Sequence, residues 1–147
     1  MTVPFDIEQL QIAHYELIRA LWKEAGLPTR YGGRDSRASL ERELAQTRNF
    51  VLGAFDGEAL VAVVLGSDDG RKGWINRLAV KPSHRRRGVG RLLVERCEEL
   101  FRARGLGLCC CLVEDGNDGS FALFEQAGYA VRRDIDYLRK PLGDESW

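Results

Sequence analysis

Apolar and polar positions change period several times along this chain, and each change marks an element. Over residues 5–12 the apolar positions Phe5, Ile7, Leu10 and Ile12 alternate irregularly, which predicts a first strand. Tyr15, Ile18, Leu21 and Trp22 then recur at helical spacing until Gly26, with Pro28 just beyond, so a helix with a glycine stop follows. A polar loop over 29–35 leads into a second predicted helix, 36–47, with Asp35 or Ser36 available as its N-cap.

The period then becomes that of strands. Residues 50–55 and 59–66 flank Asp56-Gly57, a strong hairpin signal, and a turn over 67–70 brings in a further strand, 74–80. Pro82 ends it, because proline cannot donate to a ladder. Over 88–104 the residues Val89, Leu92, Leu93, Cys97, Leu100 and Phe101 form one apolar stripe, while Arg91, Glu95, Glu98 and Arg102 face away. That is the clearest helix in the chain, and Gly105 stops it. The nearly continuous apolar run 106–113 predicts a strand covered on both faces. A short helix over 121–126 ends at Gly128, and 129–138 returns to an extended pattern. The predicted order is β-α-α-β-β-β-loop-α-β-α-β: one α/β domain over residues 1–147, with a mixed sheet in which a meander precedes a crossover unit.

Composition adds restraint. The 147 residues suit one core, and 22 basic and 22 acidic side chains cancel, so no overall field recruits nucleic acid or a membrane surface. Of the basic residues 18 are Arg, which makes forked contacts with phosphates and carboxylates. No apolar run is long enough to cross a bilayer, and the N-terminal residues lack a signal-peptide pattern, so a cytoplasmic location is expected. Cys97 and the consecutive Cys109-Cys110-Cys111 fit neither a zinc site nor a disulfide framework, and they read as small hydrophobes with reduced thiols. His14 and His84 have no metal-ligand partner at a useful spacing, so no metal is expected.

The chemistry concentrates in Arg85-Arg86-Arg87-Gly88-Val89-Gly90-Arg91, which joins a strand to the N-terminus of the best helix. A helix N-terminus offers unpaired amides and a partial positive charge; Gly88 and Gly90 would let the backbone approach a bulky anion, and the arginines add charge-assisted contacts. The combination suits a pyrophosphate. A dinucleotide fingerprint fails because Leu93 stands where a third glycine is needed, and the lysine of a P-loop is missing. Binding of nucleic acid through Arg85–Arg87 is disfavoured by the zero net charge and by the lack of interleaved aromatics.

Arg85-x-x-Gly88-x-Gly90 resembles the signature of the GNAT acetyltransferases, and Asn76-Arg77-Leu78-Ala79-Val80 is similar to that family's fourth strand. Asn117, Ser120 and Phe124-Glu125-Gln126-Ala127-Gly128-Tyr129 resemble its later motif, and among family members the chain looks most like the short bacterial YpeA-type proteins. The resemblance implies the GNAT fold with a splay between the fourth and fifth strands. It implies acetyl-CoA as co-substrate, with the pantetheine arm beside Leu78, Ala79 and Val80 and the pyrophosphate on the amides from Arg86 to Arg91. Asn117 and Phe124 would border the far end of the cleft. The implied reaction is N-acetylation of a small-molecule or peptide amine, and homodimers are common for this fold.

The chain departs from the family pattern where many members carry acid and base. Phe124 stands where a tyrosine often acts as acid, and Asn76 where a glutamate often acts as base. Glu114 and Asp115, just past the fifth strand, are the remaining catalytic candidates through a relayed water; as loop carboxylates they would equally help start the helix after Asn117. Tyr129 sits at a position that is structural in the family, and Tyr137 would face the cleft from the last strand. Arg30, Tyr31 and Arg34 are candidates for an acceptor-binding lid, and a solvated loop explains the same arginines. The departures leave a second functional class open: an acyl-CoA-binding sensor module with little turnover.

Overall fold

The computed structural model describes residues 5–143. Five strands, β1 (Asp6–Gln9), β2 (Phe50–Asp56), β3 (Ala59–Asp68), β4 (Gly73–Val80) and β5 (Cys109–Cys111), lie in that spatial order in one sheet. The first four pair antiparallel, and β4 pairs parallel with β5. The helices are α1 (Tyr15–Glu24), α2 (Arg37–Leu44), α3 (Val89–Ala103) and α4 (Asp118–Gln126), with 3₁₀ turns at Ile12–His14 and Pro82–His84. Among the described residues no helix is long and apolar enough to cross a membrane.

The strand period of two separates two cores. Phe50, Leu52 and Ala54 of β2, with Ala62 and Val64 of β3, pack against Val89, Leu93, Val94, Cys97 and Phe101 of α3. The alternate residues Val51, Val63 and Leu65 turn to the other face, against Tyr15, Ile18, Leu21 and Trp22 of α1 and Leu40 of α2. Both faces of β3 are therefore covered, which is why its sequence reads as an apolar run rather than an alternation. Two glycines let large rings close the α3 side: a Cβ at Gly66 would run into the Phe50 ring, and one at Gly73 into the Phe101 ring. Those rings lie against each other, with centroids 5.6 Å apart.

Three expectations from the sequence need correction. The first strand covers only Asp6–Gln9, because the chain turns into the 3₁₀ segment at Ile12. The run 106–113 forms a strand only at Cys109–Cys111, and it is not covered on both faces: these three residues are half-buried, and Leu108 and Leu112 are exposed. Its ladder with β4 is confined to Gly73–Ile75, so the residues beyond have no strand to pair with. Finally, 129–138 forms no strand. Val131, Ile135 and Tyr137 keep the predicted alternation, but the segment lies exposed beside no ladder partner, and Arg132 instead makes a local two-bonded pair with Asp134. The second helix begins after Ser36, whose hydroxyl accepts from the Ser39 amide; Asp35 has a different task.

Candidate acyl-carrier site at the strand splay

The splay begins at one residue. Arg77 has φ of +55°, in the left-handed region that non-glycine residues avoid, and the β3–β4 register slips between Val63 and Leu65 opposite it. Up to Ile75, β4 runs beside Cys111 of β5; past the bulge at Arg77 it continues along β3 alone. The edge of β4 past Ile75 is left without a strand partner on the β5 side, and Leu78 and Val80 on it are half-buried.

At the end of β4 the chain makes the turn Pro82–His84 and enters α3 through Arg85, Arg86, Arg87 and Gly88. Arg86 (φ +63°) and Gly88 (φ +81°) are both left-handed, so the backbone curls tightly before the helix. No side chain caps α3 and no acidic residue lies in its first turn, which leaves its leading amides and dipole open to an anion. The two glycines serve different ends. A Cβ at Gly88 would meet nothing within 4 Å, so Gly88 serves the left-handed turn. A Cβ at Gly90 would lie 2.8 Å from Leu123, so Gly90 allows α3 to approach α4 closely.

The arginines also divide. Arg85 Nε donates to the Val80 carbonyl at 3.2 Å and its Nη2 to the Ala25 carbonyl at 3.0 Å, so its guanidinium fastens the loop to β4 and α1. Arg87 lies over the Phe5 ring, and Arg86 is exposed. A second fastening comes from His84. Its Nε2 donates to Asp56 Oδ2 at 2.9 Å, and its Nδ1 shares a hydrogen bond with the Ser83 hydroxyl at 2.8 Å.

The remaining sequence candidates have separate surroundings. Asn117 caps α4, its side-chain oxygen accepting from the Ser120 amide at 3.2 Å. Phe124 is buried in the α3-side core, edge-on to Tyr129 with centroids 5.1 Å apart. Ala79 is buried on the α1 side, so only its backbone can border the cleft. Asn76 is exposed and reaches toward Ser67. Glu114 is exposed, and Asp115 is 95% exposed, 3.7 Å from Arg133. Tyr129 donates to Glu98 Oε2 at 2.7 Å, which fixes it structurally, and Tyr137 is exposed outside any strand. Burial pushes the Cys97 thiol up to about 12 and the Cys111 thiol up to about 11, which disfavours the thiolate that a nucleophile needs.

The loop between α1 and α2 contains a residue whose role the sequence did not signal. Asp35 is buried: its Oδ2 accepts from the Arg30 amide at 2.6 Å and stands 3.3 Å from Arg77 Nη2, while its carbonyl accepts from the Tyr15 hydroxyl at 2.7 Å. Tyr31 lies beneath the Arg19 guanidinium at 4.4 Å. Glu43 is exposed but lies within electrostatic reach of Asp35 and Arg77; desolvation raises its carboxyl above the ordinary value, helped by the Asp35 charge and opposed by Arg77.

The model of the Acetyltransferase (GNAT) family matches residues 14–129. A curated relative, acetyltransferase YE1169 of Yersinia enterocolitica, is 27% identical over 142 residues, covering 97% of this chain and 99% of its own. Among solved structures, the PaiA N-acetyltransferase from Thermoplasma acidophilum in complex with coenzyme A aligns with a TM-score of 0.80 at 21% identity, over 91% of this chain and 94% of that one. The aminoglycoside 6'-N-acetyltransferase AAC(6')-Ih from Acinetobacter baumannii aligns with a TM-score of 0.77 at 17% identity, over 95% and 99% respectively.

Proposed function

Since this chain belongs to the acetyltransferase (GNAT) family, we propose that it binds acetyl-CoA across the splay and transfers the acetyl group to a primary amine by direct attack in a ternary complex. The observation that carries the reading is the uncapped start of α3 behind two left-handed residues, Arg86 and Gly88, at the end of a strand edge left open by the Arg77 bulge. The donor set fits the group: several backbone amides for the pyrophosphate, with no carboxylate in the first helical turn to repel it.

In this reading the open edge of β4 at Leu78 and Val80 pairs with the pantetheine arm as an added strand would, and the amides from Arg86 to Arg91 hold the diphosphate. Acetyl-CoA supplies the thioester: the amine nitrogen bonds to its carbonyl carbon, the carbon–sulfur bond breaks, and the electron pair leaves on sulfur. Glu114 and Asp115, both exposed and reachable, take the departing amine proton through water. Arg30, Tyr31 and Arg34 sit on the α1–α2 loop, which borders the acceptor side.

A second reading, an acyl-CoA sensor with little turnover, is favoured by one feature: Phe124 is buried without a dissociable proton at the position where relatives often carry an acid. One experiment separates the two. The protein is incubated with acetyl-CoA and a panel comprising an aminoglycoside, a polyamine, a free amino acid and a peptide N-terminus, and released CoA is followed by chromatography. Amine-dependent CoA release supports the enzyme. Calorimetric binding of acetyl-CoA without release on any amine favours the sensor, and no binding overturns both.

A further inference from the structure

Arg77 has an awkward conformation and unusual company. Arginine at positive φ is strained, and it lacks the short side chain that lets Asn or Asp tolerate the region. Contacts elsewhere must hold it there. Those contacts are Nη1 donating to the Pro28 carbonyl at 2.8 Å, Nη2 standing 3.3 Å from Asp35 Oδ2, and the guanidinium lying 4.9 Å from the Trp22 ring centre. All three partners belong to α1 or to the loop that follows it.

Asp35 is also the knot of that loop. It binds the Arg30 amide through its carboxylate, its own amide donates to the Arg30 carbonyl at 3.0 Å, and its carbonyl is held by Tyr15. One ion pair therefore joins the residue that opens the β4–β5 splay to the residue that shapes the loop carrying Arg30, Tyr31 and Arg34. The junction is also under-bonded. Arg77 Nε and Nη2, with Trp22 Nε1, are buried without a hydrogen bond, so the Arg77–Asp35 contact is a charge pair that lacks hydrogen-bond alignment. An inward shift of the loop that aligned Asp35 with Nη2 would give this buried donor its missing partner. Unsatisfied buried donors favour that shift whenever the bulge is held still.

We propose that Arg77 is a positioning residue that couples the two halves of the site. An acyl-CoA arm seated against the open edge of β4 holds the bulge, and through the Arg77–Asp35 pair it draws the 30–35 loop closed over the acceptor side. Linkage makes the effect reciprocal, so a loop ordered by acceptor also favours the bulge geometry that receives acyl-CoA. The inference rests on the proposed acetyl-CoA reading.

Hydrogen exchange followed by mass spectrometry tests it, comparing the intact chain with and without saturating acetyl-CoA. In the parent, peptides covering 28–36 should exchange about tenfold more slowly when acetyl-CoA is bound. In Asp35→Asn, and separately in Arg77→Gly, which adopts positive φ without strain, calorimetry should still detect acetyl-CoA while the loop exchanges equally fast with and without it. Thermal melting selects whichever variant keeps a cooperative fold. A merely structural pair would change exchange in the free protein and leave the ligand-induced difference intact, and that result overturns the proposal. So does a parent that binds acetyl-CoA with no change in 28–36. A parent that binds no acetyl-CoA fails at the earlier step, the cofactor reading itself.

Discussion

His84 Nε2 lies 2.9 Å from Asp56 Oδ2, and this contact ties the loop that precedes α3 to the end of β2, across the width of β3. The loop's curvature is thus set partly from the β2–β3 hairpin. Asp56→Asn keeps the size of the side chain and removes its charge. Acetyl-CoA affinity should fall about three- to tenfold, with little change in melting temperature, because the pair sits near the surface. Calorimetry and a thermal melt on the same sample decide it; unchanged affinity would mean that the loop holds its shape without this tie.

Gly88→Asp introduces a charge of the wrong sign at an open helix start, together with a side chain at φ +81°. Since a Cβ there meets nothing within 4 Å, the fold should survive. Acetyl-CoA binding should weaken by at least about 100-fold, whereas Gly88→Ala, which brings only backbone strain, should cost far less. Equal affinities for parent and Gly88→Asp would remove the pyrophosphate from this loop.

If Glu114 and Asp115 accept the amine proton, the double variant Glu114→Gln/Asp115→Asn should lose about 100-fold in kcat with the KM for acetyl-CoA nearly unchanged. Retention of full kcat would shift attention to the desolvated Glu43 beside Arg77. Steady-state kinetics on the best amine of the panel gives the answer.

Alkaline pH should destabilise the chain in two stages. Burial, reinforced by hydrogen bonding with Cys109 and Glu98, raises the Tyr129 phenol above its ordinary range, and burial raises Cys97 to about 12 and Cys111 to about 11. The folded state then keeps protons that the unfolded state releases, so stability is full below the unfolded values and falls as pH rises through them. The loss begins near pH ~8.5, where unfolded thiols ionise, and steepens near ~10, where the unfolded phenol follows. Urea midpoints measured from neutrality to about pH 11 should show both stages, and Tyr129→Phe should shrink the second while leaving the share of Tyr15, whose phenol burial also raises.

Much of this was readable from the sequence, and the boundary between legible and illegible is physical. The β2–β3 hairpin, α1 and α3 rest on local periodicity and on glycines that turn the chain, so their signals lie within a few residues. The same holds for the loop before α3, whose glycines and helix start are adjacent in sequence. β5 and the segment 129–138 depend on whether a neighbouring strand is in reach, and apolar runs do not record that. Arg77 shows the limit most sharply. No sequence rule puts an arginine at positive φ, and the partners that hold it lie on a different element. Asp35 looked like a cap because caps are local, while its real contacts include Arg77 and Tyr15.

Gly66→Ala and Gly73→Ala should each destabilise by about 1–3 kcal/mol, since a methyl group would enter space held by Phe50 or Phe101. Denaturant titrations should show the deficit partly restored in Gly66→Ala/Phe50→Leu, while Phe50→Leu alone leaves a void and is itself destabilised.

Those interlocked rings carry an implication for how the sequence can change over generations. A mutation at Gly66 or Gly73 is harmful on its own, and so is a smaller residue at Phe50 or Phe101, yet the matched pair is tolerable. Because the two rings also touch each other, the four positions form one epistatic unit. Single-step drift there is costly, and any lineage that repacks this side of the sheet must first pass through a less stable intermediate. The thresholds for that passage are set by whatever surplus stability the rest of the chain supplies at the time.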